Sequence, residues 1–502
     1  MKSFSPLDYA AVILYLLAIA AFGSSFYRRN STAREYFLGN RSMGWLPAGI
    51  SIIAADLSAI SVMGAPAWAY KHNLELLWVA VGYPLVAPLV VLVFVPFYSS
   101  LNLYTAYEYL ERRFSLSVRL FSSGLFQLLR SWHVAVALYG PALVINLVTG
   151  MEVWKCVLVM GGFTTFYTTL GGIKAVIWTD VIQFCTVTSG IIVILMTAIF
   201  RIPGGASEVW RVASESGKLH LMNTSLDPTQ LTTIWSCIAG GAILSLAPLT
   251  TDQAILQRLF TTKSAKDCRR SVIMQSLVVV PLNLMLYSVG IVLFVFYRAH
   301  PERVTALTTD NAIVPLFAVT ELPSGVAGLV IAAIFAASMA VMSAGINSLT
   351  TATTVDFYQR VYRKNETPEH YAVAGRIGTV AWGAVVTFLA LFAHLAGDLA
   401  VAYTRVSSVL SGPMLGIFLL GTLTRRATST GSMVGGIAGM IAVLLVITQT
   451  QWSFSYLGLI GTLTTFAIGL AASLFTNAPS PKQLSGLVVG DVPLMENTIG
   501  AL

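Results

Sequence analysis

Four charged side chains, one of them close to a histidine, fall inside strongly apolar stretches of the sequence. Asp56 lies in AADLSA, Asp180 in IWTDVIQ, Arg130 three residues before His133 in LLRSWHVA, and Arg405 in AYTRVSSVLSGP. A charge at the centre of a bilayer costs about 2.5 to 3.5 kcal/mol even on the lenient insertion scale. Each of these residues therefore indicates either an ion pair or a functional site.

Asp56 has two hydroxyl neighbours in the stretch GISIIAADLSAISVMGAPAWAY. Ser58 and Ser61, together with carbonyls freed by a break in the helix, could join the carboxylate around a cation or a polar solute. The alternative is a structural aspartate that caps a half-helix or pairs with an arginine. We take Asp56, Ser58 and Ser61 as candidate solute ligands.

Each of the other buried charges has two possible roles. Asp180 could be an ion ligand or a proton carrier, or it could stabilise a helix N-terminus. Arg130 and His133 share a helix face and could meet an anionic group, although Arg130 could instead pair with an acidic neighbour. Arg405 could contact the solute or could pair with Asp56.

Four polar residues, Asp252, Gln253, Gln257 and Arg258, end another apolar stretch. A polar gate and simple solvation of a helix end would look alike in the sequence.

The elements that must position these residues are membrane helices. Of 502 residues, 56% are hydrophobic and 10% are charged, against about 25% charged in a soluble domain, and the mean hydropathy is +0.76. Apolar runs of about 20 residues predict an all-α polytopic membrane protein with thirteen transmembrane helices. The predicted spans are 7–27, 45–70, 75–98, 118–148, 153–171, 174–200, 232–258, 271–297, 322–358, 372–395, 399–423, 429–448 and 453–475.

Lys and Arg concentrate in the loops on one side of these spans, which predicts an external N-terminus and a cytoplasmic C-terminus in a plasma-membrane protein. Arg28 and Arg29 follow the first apolar run, so we interpret that run as a retained helix and not as a cleaved signal peptide. The tail, residues 476–502, is rich in Pro and Ser after Asn477, and we expect it to be poorly ordered.

Glycine and proline interrupt two of the spans, which lie five spans apart. Gly64 and Pro66 fall past the middle of the second span, and Gly240, Gly241 and Pro248 fall in the seventh. We expect both helices to unwind there. This arrangement predicts a five-plus-five inverted repeat, 45–200 and 232–424, with extra helices at both ends of a single transporter domain.

Several common chemistries lack their motifs. No GxxxxGK[ST], HExxH or TVGYG is present, and the cations do not form a basic face for nucleic acid. The four cysteines show no metal-ligand spacing. We expect no enzyme, no organic cofactor, no nucleic-acid partner and no obligate protein partner; the expected partners are a small-molecule solute and the lipid bilayer.

Five stretches in order resemble the recurring motifs of the sodium:solute symporter family. They are REYFLGNRSMGWLPAGIS, TAYEYLERRF, GGIKAVIWTDVIQ, TDQAILQR and INSLTTATTVDFY. The pattern is nearest to the bacterial sialic-acid branch, with some likeness to the pantothenate and iodide branches, whereas Asp56 is similar to an aspartate of proline permeases. The resemblance implies thirteen helices, the inverted-repeat fold and alternating access around a mid-membrane site.

The resemblance also implies a set of Na⁺ ligands. The main site would use carbonyls of Ala54, Leu57 and Ala337, and a further site would use Asp180 and Ser343. The two adjacent hydroxyl residues of the main site fall here on Ala340 and Val341, and a further hydroxyl of the second site falls on Ala344.

The resemblance also bears on the expected solute contacts. The arginine that binds the sialic-acid carboxylate in that branch falls on His133, and a sugar-contacting glutamine of glucose-type relatives falls on Arg405.

These features together predict a secondary-active transporter that imports a small polar organic solute. A carboxylate-bearing solute, of the sialic acid, sugar acid or amino acid class, suits Arg130, His133 and Arg405. The missing hydroxyls leave open a sodium-independent facilitator or a proton-coupled carrier. A solute sensor that has kept the transporter fold is a further alternative.

Overall fold

The computed structural model describes residues 4–27, 32–303, 310–396 and 399–491. Within these ranges the regular secondary structure is helical, apart from an isolated parallel bridge between Met43 and Thr262. Arg28 and Arg29, on which the retained first helix was argued, lie outside the described residues.

Nineteen α-helices follow one another within the described ranges. They are α1 Pro6–Ser24, α2 Ala33–Leu38, α3 Trp45–Asp56, α4 Ala59–Lys71, α5 Gly82–Leu89, α6 Val95–Leu101, α7 Tyr107–Arg113, α8 Leu116–Thr149, α9 Val153–Arg201, α10 Gly205–Glu215, α11 Ile234–Thr251, α12 Gln253–Phe260, α13 Ala265–Ala299, α14 Ile313–Glu321, α15 Val326–Ala352, α16 Pro368–Leu391, α17 Leu399–Leu423, α18 Ser429–Gln449 and α19 Leu457–Leu474.

Shorter helical turns join some of them. A 3₁₀ segment, Glu75–Val81, leads into α5, and π-helical segments, Val90–Phe94 and Thr353–Tyr362, follow α5 and α15. Because these segments are continuous with their neighbours, residues Glu75–Leu101 and Val326–Tyr362 each form one long apolar element.

Eleven elements of the described chain are long and apolar enough to cross a membrane, and the bent pair α3 and α4 makes a twelfth. One of the eleven, α9, has 49 residues, or about 74 Å at 1.5 Å per residue, more than twice the hydrocarbon thickness. Its backbone leaves the helical region at Gly172 (φ 56°, ψ −167°), where the sequence predicted a loop between the fifth and sixth spans.

The first broken span bends by 64° between α3 and α4. Its break lies at Leu57 and Ser58, which have extended ψ values of 87° and 166°. Gly64 and Pro66, where the sequence analysis expected unwinding, lie inside the regular helix α4, so that expectation is wrong. Pro66 is the eighth of the 13 residues of α4, where a proline removes one interior hydrogen bond, which membrane helices tolerate when neighbouring groups satisfy the freed carbonyl.

The second broken span ends α11 at Thr251 and restarts at Gln253, with Asp252 extended between them (ψ 117°). The expected unwinding at Gly240, Gly241 and Pro248 is also wrong, because all three lie within α11. Gly241 instead permits close packing: a Cβ there would lie 2.4 Å from the carbonyl oxygen of Val79.

The centre of the bundle is α15, which packs on α8, α9 and α1. Every residue from Val330 to Ala352 is buried, and most are small and apolar. A helix that is apolar on all sides is a core helix, and α15 therefore forms the wall against which the two broken spans are placed.

Part of the C-terminal tail is docked, contrary to the expectation of poor order after Asn477. Leu487 is 7% exposed and its carbonyl accepts a hydrogen bond of 3.1 Å from the Tyr109 hydroxyl. Gln483 donates to the carbonyl of Phe114, at 3.1 Å. Residues up to 491 therefore cover the end of the bundle formed by α7 and the start of α8.

Candidate functional site between two helix breaks

An aspartate stands at each of the two helix breaks. Asp56 is the last residue of α3, and Asp252 is the residue that links α11 to α12. The Asp252 side chain caps α12 by accepting a 2.7 Å hydrogen bond from the backbone N–H of Ala254. The last carbonyls of α3 lack intrahelical partners, so the first break presents acceptors beside a carboxylate. At the second break the carbonyls of Thr250 and Thr251 already accept hydrogen bonds from the hydroxyls of Tyr98 and Tyr107.

Asp56 accepts a short hydrogen bond from the Tyr83 hydroxyl and remains partly exposed. Ser58, the next residue but one, is 4% exposed and its side chain does not cap α4. Ser61, one turn into α4, is partly exposed. The carboxylate and the two serines therefore flank the break, and their role as solute ligands stays a prediction.

Arg130 binds Asp252 and His133. Its Nη2 forms a short ion pair with Asp252 Oδ2, and its Nη1 lies 3.1 Å from His133 Nδ1. These three side chains are each no more than 6% exposed. A guanidinium has only donors, so His133 Nδ1 accepts, and the imidazole is neutral in this arrangement.

Helix α17 also contributes to this site. The His133 ring packs against Tyr403 on α17, with ring centroids 4.6 Å apart. Arg405, two residues further along α17, is exposed and forms no ion pair with Asp56. The structure thus brings Asp56, Arg130 and His133 toward one region and excludes the ion pair between Arg405 and Asp56.

The sequence analysis did not single out Tyr83 or Tyr403, because neither residue carries a charge in an apolar stretch. It also left the partner of Arg130 open, and that partner is Asp252.

Asp180 forms a second buried cluster with Arg258 and Ser51. Arg258 Nη2 lies 2.8 Å from Asp180 Oδ2, and the Ser51 hydroxyl donates to the same oxygen at 2.5 Å. Arg258 Nε also donates to Ser51 Oγ at 2.6 Å. Since both charged side chains are fully buried, this cluster joins α3, α9 and α12 through one ion pair.

Gln257, on the same short helix as Arg258, also holds α12 in place. Its side-chain nitrogen donates to the carbonyl of Phe37 at 2.7 Å and to Asn347 and Thr351 of α15 at 2.9 Å each. The polar end of the seventh predicted span is therefore a set of interhelical contacts and is not solvated.

The expected main Na⁺ site fits the residues present only in part. Ala54 and Leu57 lie at the break of α3, where open carbonyls are available. Ala337 lies within the regular helix α15, and Ala340 and Val341 supply no side-chain oxygen. The side chains therefore lack the two hydroxyls of the family pattern, and we derive no transport step through this site.

The expected second Na⁺ site also fits in part. Asp180 Oδ1 is buried and has no hydrogen-bond partner, which leaves one ligand oxygen available. The other oxygen is already neutralised by Arg258, and the Ser343 hydroxyl donates to the Ala340 carbonyl at 3.1 Å. A cation would compete with Arg258 for the same carboxylate.

A separate cavity of about 190 Å³ lies beside α12 and α13. Leu256, Phe260 and Cys268 line it, with Arg41 and Lys263 contributing charge. None of the lining residues belongs to the site at the helix breaks.

A sequence profile of the sodium:solute symporter family matches residues 36–439 of the chain. The protein belongs to this family. It is 34% identical to the sodium/sialic acid symporter NanT of Aliivibrio fischeri, with 97% of each chain covered. It is 32% identical to the sodium/sialic acid symporter SiaT of Proteus mirabilis, covering 97% of this chain and 98% of that one. The human sodium/iodide cotransporter is 31% identical over 88% of this chain and 70% of its own length.

Solved structures agree with the family assignment. A substrate-bound, outward-open Na⁺-coupled sialic acid symporter aligns with a TM-score of 0.89 and 30% identity, covering 95% of this chain and 100% of that one. A nucleobase-cation-symport-1 family transporter aligns with a TM-score of 0.60 at 13% identity, covering 91% and 98%, and shows the fold alone.

The predicted family is therefore confirmed, and so is the prediction that this symporter-family protein is a membrane transporter and not an enzyme.

Proposed function

We propose that this symporter-family protein is a secondary-active transporter that imports a small, polar, carboxylate-bearing solute. The solute would bind between the two helix breaks, where Asp56, Ser58, Ser61, Arg130 and His133 are the candidate contacts. The observation that carries the proposal is the pair of helix breaks, each with an aspartate, because discontinuous helices build binding sites in such transporters. The two bacterial relatives named as sialic acid symporters support a solute of this class.

Alternating access would use the contacts of α12. The Asp180–Arg258 pair and Gln257 hold α12 against α3, α9 and α15 on one side of the breaks. We propose that these contacts close that side while the solute enters from the other, and that they separate when the solute leaves. This role corresponds to the polar gate that the sequence left open.

The arrangement in the membrane is part of the proposal. The element α9 would supply two spans divided at Gly172, which gives thirteen spans in all. Residues 45–200 and 232–424 would be the inverted repeats, in a plasma-membrane protein with an external N-terminus and a cytoplasmic tail, 476–502.

The coupling ion has two candidates. Na⁺ would use Ala54, Leu57 and Ala337 at the main site, or Asp180 and Ser343 at the second. Sodium-independent transport, by facilitated diffusion or with protons, is favoured by Ala340 and Val341, which are 1% and 0% exposed and carry no oxygen in their side chains.

Uptake by proteoliposomes tests the proposal. Radiolabelled N-acetylneuraminate, glucuronate and an amino acid mixture would be offered with a sodium gradient, with choline in place of sodium, and with a pH gradient. Concentrative uptake of at least one solute is expected, and no uptake under any gradient would refute the function. Loss of uptake in choline would identify Na⁺ as the coupling ion, whereas uptake unchanged in choline would support the sodium-independent alternative.

A further inference from the structure

The ionisable side chains at the helix breaks do not balance in charge. Asp56 and Asp252 are two carboxylates, and Arg130 is the one guanidinium in contact with either of them among the described residues. His133 adds no charge, because its Nδ1 accepts from Arg130. The four groups together carry one formal negative charge.

The uncompensated charge falls on Asp56. Arg130 directs its ion pair to Asp252, and Asp56 is left with the neutral hydroxyl of Tyr83. Arg405, which the sequence offered as a second cation, is exposed on α17. A purely anionic solute would bring a third carboxylate to a region with one cation, where like charges repel strongly.

We propose that the transported solute carries a positively charged nitrogen, which pairs with the Asp56 carboxylate. This inference rests on the proposed transport function and narrows its solute to amines and amino acids. Amines and amino acids carry such a nitrogen, whereas N-acylated or purely anionic acids such as N-acetylneuraminate do not.

The geometry of the first break suits an ammonium group. An ammonium has three donors and no acceptor. The break offers the partly exposed Asp56 carboxylate and the hydroxyls of Ser58 and Ser61, besides the Ala54 and Leu57 carbonyls that are the candidate Na⁺ ligands. Among the described residues no protein cation forms an ion pair with Asp56.

The opposite wall offers a place for a solute carboxylate. Arg130 Nε is buried and has no hydrogen-bond partner, although the side chain is 4% exposed and both of its other nitrogens are engaged. A buried donor without a partner calls for an explanation, and in our proposal the carboxylate of the solute is its acceptor. A zwitterion would therefore match Asp56 and Arg130 at its two ends.

Binding to matched ligand pairs tests the inference. Purified full-length protein, in detergent at constant sodium, would be titrated with L-alanine and L-lactate, with ethanolamine and ethylene glycol, and with the methyl glycosides of neuraminic acid and N-acetylneuraminic acid. The shift of the thermal unfolding midpoint is the readout. We expect the ammonium member of at least one pair to bind at least tenfold more tightly than its partner.

Two variants locate the effect. Asp56→Asn, which keeps the side-chain size, is expected to remove the preference for the ammonium member, whereas Asp227→Asn in an exposed loop is expected to keep it. His133→Arg, which adds a cation beside Arg130, is expected to shift the preference toward the anionic member. His133→Arg keeps the inference testable even when Asp56→Asn does not fold.

Several results would overturn the inference. They are equal binding of both members in every pair, no midpoint shift with any ammonium ligand, and an ammonium preference that survives Asp56→Asn. A midpoint shift that depends on Asp56 but is produced by sodium alone would also overturn it.

The proposed transport function and the proposed ammonium site can be refuted independently of each other. Uptake of N-acetylneuraminate that persists in Asp56→Asn would keep the transporter and refute the ammonium site. Asp56-dependent ammonium binding without any uptake would refute transport and keep the site.

Discussion

Substitutions of the Asp180–Arg258 ion pair test directly how α12 is held against α3 and α9. The two side chains are fully buried and lie 2.8 Å apart, and Ser51 contacts both. We expect Arg258→Met to destabilise the protein strongly, because it leaves a carboxylate buried without its cation. Asp180→Leu is expected to do the same for the guanidinium.

The magnitude follows from the burial of both partners. Removing one partner of a buried ion pair costs about 3–5 kcal/mol, whereas replacing both with apolar side chains of similar volume is often neutral or stabilising. The double variant Arg258→Met/Asp180→Leu is therefore expected to be more stable than either single variant. Because Ser51 loses both of its partners in the double variant, we do not expect that variant to be much more stable than the natural protein.

The assay compares thermal unfolding midpoints of the four proteins in detergent. An exposed ion pair serves as the control: Arg211→Met removes a partner of Glu208 in a pair whose side chains are 56% and 32% exposed. Surface pairs of this kind contribute about 0–1 kcal/mol, so the control midpoint is expected to change little. A double variant as unstable as the sum of the two single changes would refute the reasoning.

Thiol labelling supplies a second readout of the same pair. Cys268 is 6% exposed and lines the cavity beside α12, whereas Cys185 is exposed. In a Cys185→Ser background, Arg258→Met is expected to increase maleimide labelling of Cys268, because α12 is no longer held against α3. Unchanged labelling in a destabilised Arg258→Met variant would refute the role of the pair in closing that side.

Three further predictions follow from single features. Ala340→Ser with Val341→Ser, which restores two hydroxyls to α15, is expected to make uptake or thermal stability respond more strongly to sodium; an unchanged sodium titration would contradict it. Tyr83→Phe removes a hydrogen bond to a charged group, worth about 1.5–3 kcal/mol, and is expected to lower the unfolding midpoint of the ligand-free protein, but not in an Asp56→Asn background. Gln483→Ala is expected to increase proteolytic cleavage of the tail with transport unchanged, since it removes the contact to Phe114.

The sequence predicted the spans well because long apolar runs are a direct physical requirement of the bilayer. The break positions were predicted wrongly because Gly and Pro were treated as the cause of unwinding. Gly241 is instead a site of close helix contact with Val79, and Pro66 lies inside α4. The actual breaks lie at Leu57 and Asp252, and nothing in the local propensity of a leucine predicts an extended backbone.

The site was predictable where the argument rested on the cost of a buried charge. Asp56 and Arg130 were selected on that ground, and His133 because it shares a helix face with Arg130. The structure places Asp56 at the first break and Arg130 between Asp252 and His133. For Arg405 the sequence left open a solute contact or a pair with Asp56; the structure shows an exposed side chain without that pair, and the solute contact stays a prediction. Tyr403, two residues earlier, is the residue of α17 that packs on His133.

The two breaks show how similar backbones can have different electrostatic roles. Arg130 balances the charge of Asp252, and the other oxygen of Asp252 caps α12. Both oxygens of the carboxylate at the second break therefore have partners within the protein. Asp56 has neither a cation nor a helix N-terminus to stabilise, since it ends α3 and accepts from Tyr83. A carboxylate at the C-terminal end of a helix is unfavourable with respect to the helix dipole, which adds to the cost of its charge. The negative charge of Asp56 at the first break is therefore the charge that we expect a bound solute to neutralise.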